Sequence, residues 1–167
     1  MTQSLYLLRH AKAEPWFPGC DDFARVLSDR GQSHMVLLSR WMAASIEEPD
    51  AVLCSTSART RGTLAPILEV WPGLAERTHY LNEIYEATTG RLHRLAEQAF
   101  EQVDRVMMVG HNPGFEHLAA SVLRDRDANR IGKMATGTLG QIDFNGGYSS
   151  GCGQGVLRHW VTRKNLG

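Results

Sequence analysis

Short apolar runs alternate along this chain with segments in which apolar residues recur at helical spacing. Three runs predict buried strands: Leu5–Leu8, Ala51–Cys54 and Arg105–Val109. A shorter strand is predicted over Thr78–Leu81. The polar segment Asp21–Gly31 predicts a loop.

Four segments with helical periodicity lie between or after these strands. They are Gln32–Ser45, Ala58–Val70, a segment capped by Thr88 or Thr89 that extends to Phe100, and a segment from Pro113 to Val122. Ser28 is a possible N-cap of the first helix. The sequence Trp71-Pro72-Gly73 ends the second, and Pro113 is expected as the first residue of the fourth.

The C-terminal part of the chain has a different pattern. Leu139–Phe144 and Val156–Val161 alternate between apolar and polar residues, and a glycine-rich stretch from Gly146 to Gly155 joins them, which predicts a hairpin. The alternation of strands and helices predicts a single domain over residues 1–167, a three-layer α/β/α sandwich with a mostly parallel central sheet. The hairpin would add antiparallel strands at one edge.

Composition excludes several classes of protein. The 18 basic residues balance the 18 acidic ones, which argues against nucleic acid as a partner. No apolar run is long enough to span a membrane and no signal-peptide pattern opens the chain, so we expect a cytoplasmic protein. The three cysteines lie far apart and the seven histidines show no metal-ligand spacing, so neither a metal nor another cofactor is expected.

Side chains that can bind a ligand or react with it lie where the predicted strands end. Arg9 and His10 follow the first strand, Ser55 and Arg59 follow the second, and His111 follows the third. Ligands of an open parallel sheet bind beyond the carboxyl ends of its strands. Two guanidinium groups suit a phosphoryl group, and a histidine can attack phosphorus. We therefore expect His10 as the nucleophile and the remaining side chains as its phosphate pocket.

Three smaller expectations concern the same strand ends. Asn112 is a candidate phosphate ligand beside His111. Gly110 would let the backbone approach the phosphoryl group, and the helix that begins near Pro113 would direct its positive end toward it. Ser57 is a further candidate donor.

These residues resemble the motifs of one family. Leu7-Leu8-Arg9-His10, Ser55-Thr56-Ser57-Ala58-Arg59 and Val109-Gly110-His111-Asn112 are similar to three motifs of the histidine phosphatase superfamily, the phosphoglycerate mutase-like enzymes. The segment from Asp22 to Leu27, Tyr85-Glu86-Ala87 and Gly110–Gly114 resemble its short SixA-like branch. The resemblance implies a phosphohistidine on His10, a pocket of Arg9, Arg59 and His111, and no metal.

Two features depart from that pattern or leave it open. The glycine and serine that usually follow the Arg-His pair are Ala11 and Ala13 here; Lys12 either replaces a phosphate donor as a point charge or is a solvated loop residue. A general acid would protonate an ester leaving group. Glu83 and Glu86 are both candidates for it.

The expected substrate is phosphohistidine on a protein, such as a phosphotransfer or phosphocarrier domain. Short strand-to-helix connections leave little chain for a lid over a small substrate. The alternatives are a small-molecule phosphomonoesterase and a non-catalytic phosphate-binding relative. Trp16, Phe17 and Pro18 would either contact a protein partner or, as we favour, pack against their own domain.

Two other phosphoryl-transfer motifs are absent. Cys54 and Arg59 have four residues between them, one too few for a cysteine phosphatase, so Cys54 is expected to be a buried apolar residue. The chain has no P-loop. The stretch Gly151–Gly155 is too short for a dinucleotide fingerprint and predicts a flexible loop.

Overall fold

The strands form one sheet in the computed structural model, which describes residues 1–150 and 152–167. Within those residues there are six: β1 (Thr2–Arg9), β2 (Ala51–Ser55), β3 (Thr78–Leu81), β4 (Arg105–Gly110), β5 (Leu139–Asn145) and β6 (Val156–Val161). Their order across the sheet is β3-β2-β4-β1-β5-β6. The pairs among β1 to β4 are parallel, whereas β5 pairs antiparallel with both β1 and β6. The mostly parallel sheet with an antiparallel hairpin at one edge is confirmed.

Five α-helices connect or follow the strands of the described chain. They are α1 (Asp29–Ser45), α2 (Ala58–Val70), α3 (Thr89–Phe100), α4 (Gly114–Val122) and the short α5 (Asp125–Ala128). The first three helices are capped by side-chain oxygens at their N-termini. Ser28, Ser57 and Thr88 each accept a hydrogen bond from a backbone N–H of the first turn. Among the described residues, no helix is both long and apolar enough to cross a membrane.

Two cores cover the two faces of the sheet. Leu5 and Leu7 of β1 contribute to a core that also contains buried residues of α3 and α4. Tyr6 and Leu8, the alternate residues of the same strand, contribute to the opposite core with α1 and α2. Successive side chains of a strand point to opposite faces, so one apolar run serves both cores. The expected three-layer α/β/α arrangement is confirmed.

Two local expectations are corrected. Asp21–Gly31 is not a simple loop: it contains a 3-10 helix over Asp22–Ala24 and the first turn of α1, because Asp21 and Ser28 cap these helices with their side chains. Pro113 is the N-cap of α4, which begins at Gly114. Of the glycine-rich stretch after β5, Gly151 lies outside the described residues.

Gly31 allows α1 to approach the segment that follows β1. A Cβ at this position would lie 2.1 Å from the carbonyl oxygen of Lys12. The same carbonyl accepts hydrogen bonds from the backbone N–H (2.9 Å) and the hydroxyl (3.1 Å) of Ser28. The start of α1 therefore holds the chain directly after His10 in place.

Gly31→Ala is expected to lower the free energy of unfolding by about 1–3 kcal/mol, the usual cost of adding a methyl group to a site without room for it. Gly90→Ala is the matched control, since a Cβ there meets no atom within 4 Å and Gly90 lies in α3. Urea denaturation followed by circular dichroism measures both. Equal stability of the two variants would contradict the close contact between Gly31 and Lys12.

Candidate active site

The register of the parallel strands brings the two histidines together. Arg9 of β1 is paired with Gly110 of β4, so the next residue of each strand, His10 and His111, leaves the sheet at the same level. Their ring centroids are 5.4 Å apart, and both residues are buried. Two imidazoles predicted from separate strand ends thus form one site.

A backbone carbonyl fixes the tautomer of His10. The Nδ1 atom of His10 lies 2.8 Å from the carbonyl oxygen of Ala11. A carbonyl oxygen only accepts hydrogen bonds, so Nδ1 carries the proton and donates it there. The Nε2 atom of the neutral ring then has a free lone pair, which is the form that a nucleophile needs.

The environment keeps both imidazoles neutral. The pKa of His10 is lowered to about 4, first by burial and then by the positive charges of Arg59 and Arg9, against the hydrogen bond to Ala11. The pKa of His111 is lowered to about 3, first by burial and then by the charges of His10 and Arg59. Neither ring needs to lose a proton at neutral pH before it acts.

Ser55 orients His111. The Nε2 atom of His111 lies 2.8 Å from the hydroxyl oxygen of Ser55, which is the last residue of β2 and is buried. When the Ser55 hydroxyl donates to Nε2, the hydrogen of the neutral imidazole lies on Nδ1, from which it can be donated to a ligand.

Arg59 is held by a network around Asp22. Its Nη1 and Nη2 atoms donate to the backbone oxygen (2.7 Å) and the Oδ2 atom (3.1 Å) of Asp22. The hydroxyl of Tyr85 donates to the same carboxylate at 2.6 Å, and Arg25 forms a salt bridge with it at 2.9 Å. The hydrogen bond from Tyr85 and the charge of Arg59 lower the pKa of Asp22 to about 2, so this carboxylate is ionised.

The carbonyl oxygen of Met134 holds two predicted site residues. It accepts hydrogen bonds from Nη1 of Arg9 (2.8 Å) and Nδ2 of Asn112 (2.9 Å). The Oδ1 atom of Asn112 accepts from the backbone N–H of Glu116 in the first turn of α4. Asn112 thus connects α4 to the loop before β5, and its direct contact with phosphate stays a prediction.

Three buried nitrogens of these side chains have no hydrogen-bond partner among the described residues. They are Nε of Arg9, Nε of Arg59 and Nδ1 of His111. Buried polar groups without a partner cost stability and are uncommon in folded proteins. A phosphoryl group has several acceptor oxygens, so it is the kind of ligand that would satisfy such a set of donors.

Glu86 and Glu83 are separated by the fold. Glu86 lines a cleft of about 590 Å³ together with His111 and Asn112. Glu83 lines a different groove and forms an exposed salt bridge with Arg91 at 3.2 Å. Glu86 also has a φ of 56°, in the left-handed region that non-glycine residues seldom adopt and that is often found at functional sites.

Two further residues have structural roles. Thr63 of α2 accepts a hydrogen bond from the backbone N–H of Ala11 at 3.0 Å and so fixes the chain beside His10. Gly110 is required by packing, because a Cβ there would lie 2.6 Å from the ring of Phe115 and 2.8 Å from Ile84. The expected approach of a ligand to its backbone stays a prediction. Packing against α4 is what excludes a side chain.

Cys54 is a buried residue of β2, as expected. Burial raises the pKa of its thiol to about 12, so a reactive thiolate is disfavoured. Among the described residues, no group of three His, Cys, Asp or Glu side chains could hold a metal ion.

The loop between β1 and α1 exposes aromatic side chains. Trp16 is 59% exposed and Phe17 is 60% exposed, so the packing that we favoured for them against their own domain is wrong. The loop is closed by a bridge between Ala13 and Leu27. It also carries Asp22, the partner of Arg59.

Sequence reasoning missed the parts played by Asp22, Tyr85 and Met134. Asp22 and Tyr85 belong to segments that carried the family resemblance, which was the available signal, but nothing in either segment indicated that they meet at Arg59. Met134 acts through its backbone, which no side-chain pattern reveals.

A three-layer fold with two histidines and two arginines at the ends of parallel strands defines a phosphoglycerate mutase-like protein. The family model of the histidine phosphatase superfamily, branch 1, matches residues 5–124, and the chain belongs to that superfamily. An uncharacterised protein of Mycobacterium tuberculosis is 34% identical over 113 residues, which are 67% of either chain.

Solved structures of phosphatases have the same fold. A protein of Agrobacterium tumefaciens described as the phosphohistidine phosphatase SixA is 28% identical, with a TM-score of 0.84 over 96% of this chain and 97% of that one. The protein histidine phosphatase SixA in complex with tungstate has a TM-score of 0.79 at 21% identity, over 98% of this chain and 99% of that one. A mycobacterial glucosyl-3-phosphoglycerate phosphatase has a TM-score of 0.68 at 14% identity, over 96% and 99% of the two chains.

Titration of the site histidines tests their environment. We expect the ring of His10 to take up a proton with a midpoint near pH 4, followed by NMR and assigned by loss of its signals in His10→Asn. Arg59→Met removes a nearby positive charge and therefore favours the imidazolium, so the midpoint should rise toward the ordinary value near 6.5. A wild-type midpoint already near 6.5 would contradict the buried, cationic surroundings of His10.

Proposed function

We propose that this protein is a metal-independent phosphatase that forms a phosphohistidine on His10 and acts on phosphohistidine in a protein substrate. The observation that carries the proposal is the hydrogen bond from Nδ1 of His10 to the carbonyl of Ala11, which leaves Nε2 unprotonated beside Arg9, Arg59 and His111. Two arginines supply the positive charge that phosphoryl transfer requires.

In the first step the lone pair of His10 Nε2 attacks phosphorus and forms a new N–P bond. The P–N bond of the substrate breaks, and its electron pair passes to the substrate imidazole. That imidazole, already protonated on its other ring nitrogen, leaves as a neutral group. Arg9, Arg59 and the Nδ1–H of His111 hold the phosphoryl oxygens, whose charge they offset in the transition state.

In the second step a water oxygen attacks phosphorus and the N–P bond to His10 breaks. The electron pair returns to Nε2, so His10 is again neutral with its proton on Nδ1. Inorganic phosphate leaves with the atoms of the water molecule and releases any proton to solvent. One water is consumed per turnover, and no other reactant is needed.

Several observations support a protein as the substrate. The similar SixA of Agrobacterium tumefaciens is described as a phosphohistidine phosphatase. Trp16 and Phe17 are exposed on the same loop that carries Asp22, the partner of Arg59. Exposed aromatic residues are enriched where proteins bind each other. A phosphotransfer or phosphocarrier domain is the kind of partner that presents phosphohistidine on its surface.

The second candidate is a phosphomonoesterase that acts on a small molecule. It is favoured by Glu86, which shares the cleft with His111 and could protonate an alkoxide leaving group. A phosphohistidine substrate does not need this proton, because its imidazole leaves already protonated. A role for Glu86 as a general acid therefore distinguishes the phosphomonoesterase from the phosphohistidine phosphatase.

Rates on P–N and P–O bonds test the primary proposal. With EDTA present, we expect kcat/KM for a phosphohistidine peptide to exceed that for p-nitrophenyl phosphate by about ten-fold or more, since a protonated imidazole is a good leaving group without an acid. His10→Ala should abolish both activities. His79→Ala is the matched control, because His79 is an exposed residue of the edge strand β3.

Rapid acid-free quenching should also trap a base-stable, acid-labile phosphoryl group on the wild-type protein but not on His10→Ala. Preference for the ester would favour the phosphomonoesterase. Normal turnover by His10→Ala would remove the nucleophile from the mechanism, and binding of vanadate without turnover of any substrate would indicate a phosphate-binding relative.

Charge-neutral substitutions distinguish the two glutamates. Glu86→Gln should lower kcat for phenyl phosphate by about 100-fold, the usual contribution of a general acid to departure of a poor leaving group. The same variant should change turnover of a phosphohistidine peptide little. Glu83→Gln, which makes the same chemical change at the salt bridge to Arg91, should leave both rates unaltered. A loss confined to Glu83→Gln would reverse the assignment.

A further inference from the structure

All three lysines of the chain line one groove. The groove has a volume of about 400 Å³, and Lys12, Lys133 and Lys164 lie along it together with Arg30 and Arg163. None of the described residues that line it is acidic. A protein with equal numbers of acidic and basic residues thus concentrates five cations on one surface, which we call the basic groove.

None of these five cations forms an ion pair with the described residues. The ion pairs of the described chain involve other arginines, such as Arg105 with Glu47 and Arg124 with Asp127. Uncompensated like charges repel one another and destabilise the folded state. A set of exposed, unpaired cations facing one cavity is therefore typical of a surface that binds an anionic ligand.

Two segments that line the basic groove are connected directly to His10. Lys12 lies two residues after His10. On the other side, Ala135 and Thr136 line the groove, and the backbone N–H of the next residue, Gly137, donates to the carbonyls of Arg9 (3.1 Å) and His10 (2.9 Å). The segment that holds the nucleophile in place is therefore also the wall of the groove.

Three packed elements fix the shape of the basic groove. His34 of α1 lies against Gly137, where a Cβ would come within 2.3 Å of the imidazole. Beyond β6, a 3-10 helix over Arg163–Leu166 is capped reciprocally by Thr162 and Asn165 and carries Arg163 and Lys164. The cations therefore project from a preorganised frame of loops and helices.

Lysine and arginine provide the positive charge of the groove. His34 lines it but is buried, and its Nε2 atom has no hydrogen-bond partner in the described part of the chain. Burial and the charge of Arg163 lower the pKa of His34, so its ring is neutral at neutral pH.

We propose that the basic groove binds a segment of the substrate protein that is rich in aspartate and glutamate and lies next to the phosphohistidine in that protein. This inference rests on the proposed function. Three of the five cations are lysines, whose flexible stems carry point charges that can follow carboxylates at varied positions. Charge of this kind guides association and selects partners.

Direct binding tests the groove without any turnover. The probe is a fluorescent, unphosphorylated peptide with a run of Asp and Glu, compared with the same peptide carrying Gln and Ser, at low ionic strength. By fluorescence anisotropy, wild type should bind the acidic peptide more tightly, and added salt should weaken that binding. Lys133→Ser combined with Lys164→Ser should weaken it about five- to ten-fold, as expected for loss of two exposed ion pairs.

Arg40→Ser is the matched control, because Arg40 is an exposed cation of α1 outside the groove. It should bind the acidic peptide as wild type does. The double lysine variant should hydrolyse p-nitrophenyl phosphate at the wild-type rate, because neither lysine belongs to the phosphate pocket, and this activity also shows that the variant is folded.

A second arm places phosphohistidine in the two peptides. We expect wild type to have a lower KM for the acidic phosphopeptide than for the neutral one, with a similar kcat, and the double lysine variant to lose this difference. Binding of the acidic peptide through the lysines, without hydrolysis of either phosphopeptide, would support the groove and overturn the proposed function.

Other results would overturn the proposed role of the basic groove. Equal KM values and equal binding of the two peptides by wild type, with phosphohistidine turned over normally, would overturn the groove and leave the proposed function in place. Binding of inorganic pyrophosphate through the lysines, without binding of the acidic peptide, would assign the groove to a small phosphorylated ligand and would also overturn the inference.

Discussion

The parallel register between β1 and β4 is the constraint on which the candidate site depends. Pairing of Arg9 with Gly110 brings His10 and His111 out of the sheet together. A slip of one residue would turn every side chain of β1 to the opposite core, and a slip of two would move the histidines about 7 Å apart along the strands. Because both faces of β1 are buried, the two cores that stabilise the fold also fix the geometry of its chemistry.

The site combines positively charged arginines with neutral histidine rings, and the arginines help to keep those rings neutral. Burial lowers the pKa of His10 and His111, and the positive charges of Arg59 and Arg9 lower both further, which keeps the two rings neutral. The carboxylate of Asp22 compensates the charge of Arg59, whereas Arg9 is held by a backbone carbonyl. Neither contact uses the Nε atoms of these arginines, so donors remain for a ligand. These unpaired buried donors lower the stability of the fold, but they are already in place to bind a ligand.

Local pattern was enough to predict the strands and helices, because apolar runs and side-chain caps such as Ser28 and Thr88 act within a few residues. The same pattern also predicted that the histidines at the strand ends lie at one edge of the sheet. It could not predict the network around Asp22, since the hydrogen bonds to this residue come from Arg59 and Tyr85, 37 and 63 residues away. Met134, 125 residues from Arg9, contributes only a carbonyl and leaves no trace in a side-chain pattern.

The net charge of the chain does not reveal how the charges are distributed over the folded surface. Equal numbers of acidic and basic residues argued against a polyanionic partner such as nucleic acid, and that reasoning treats the charge as evenly spread. The fold instead gathers Lys12, Lys133 and Lys164 from three distant parts of the sequence into one groove. The potential that an approaching partner meets is set by this local arrangement and is screened within about 10 Å. A protein with no net charge can therefore present a cationic surface to a partner.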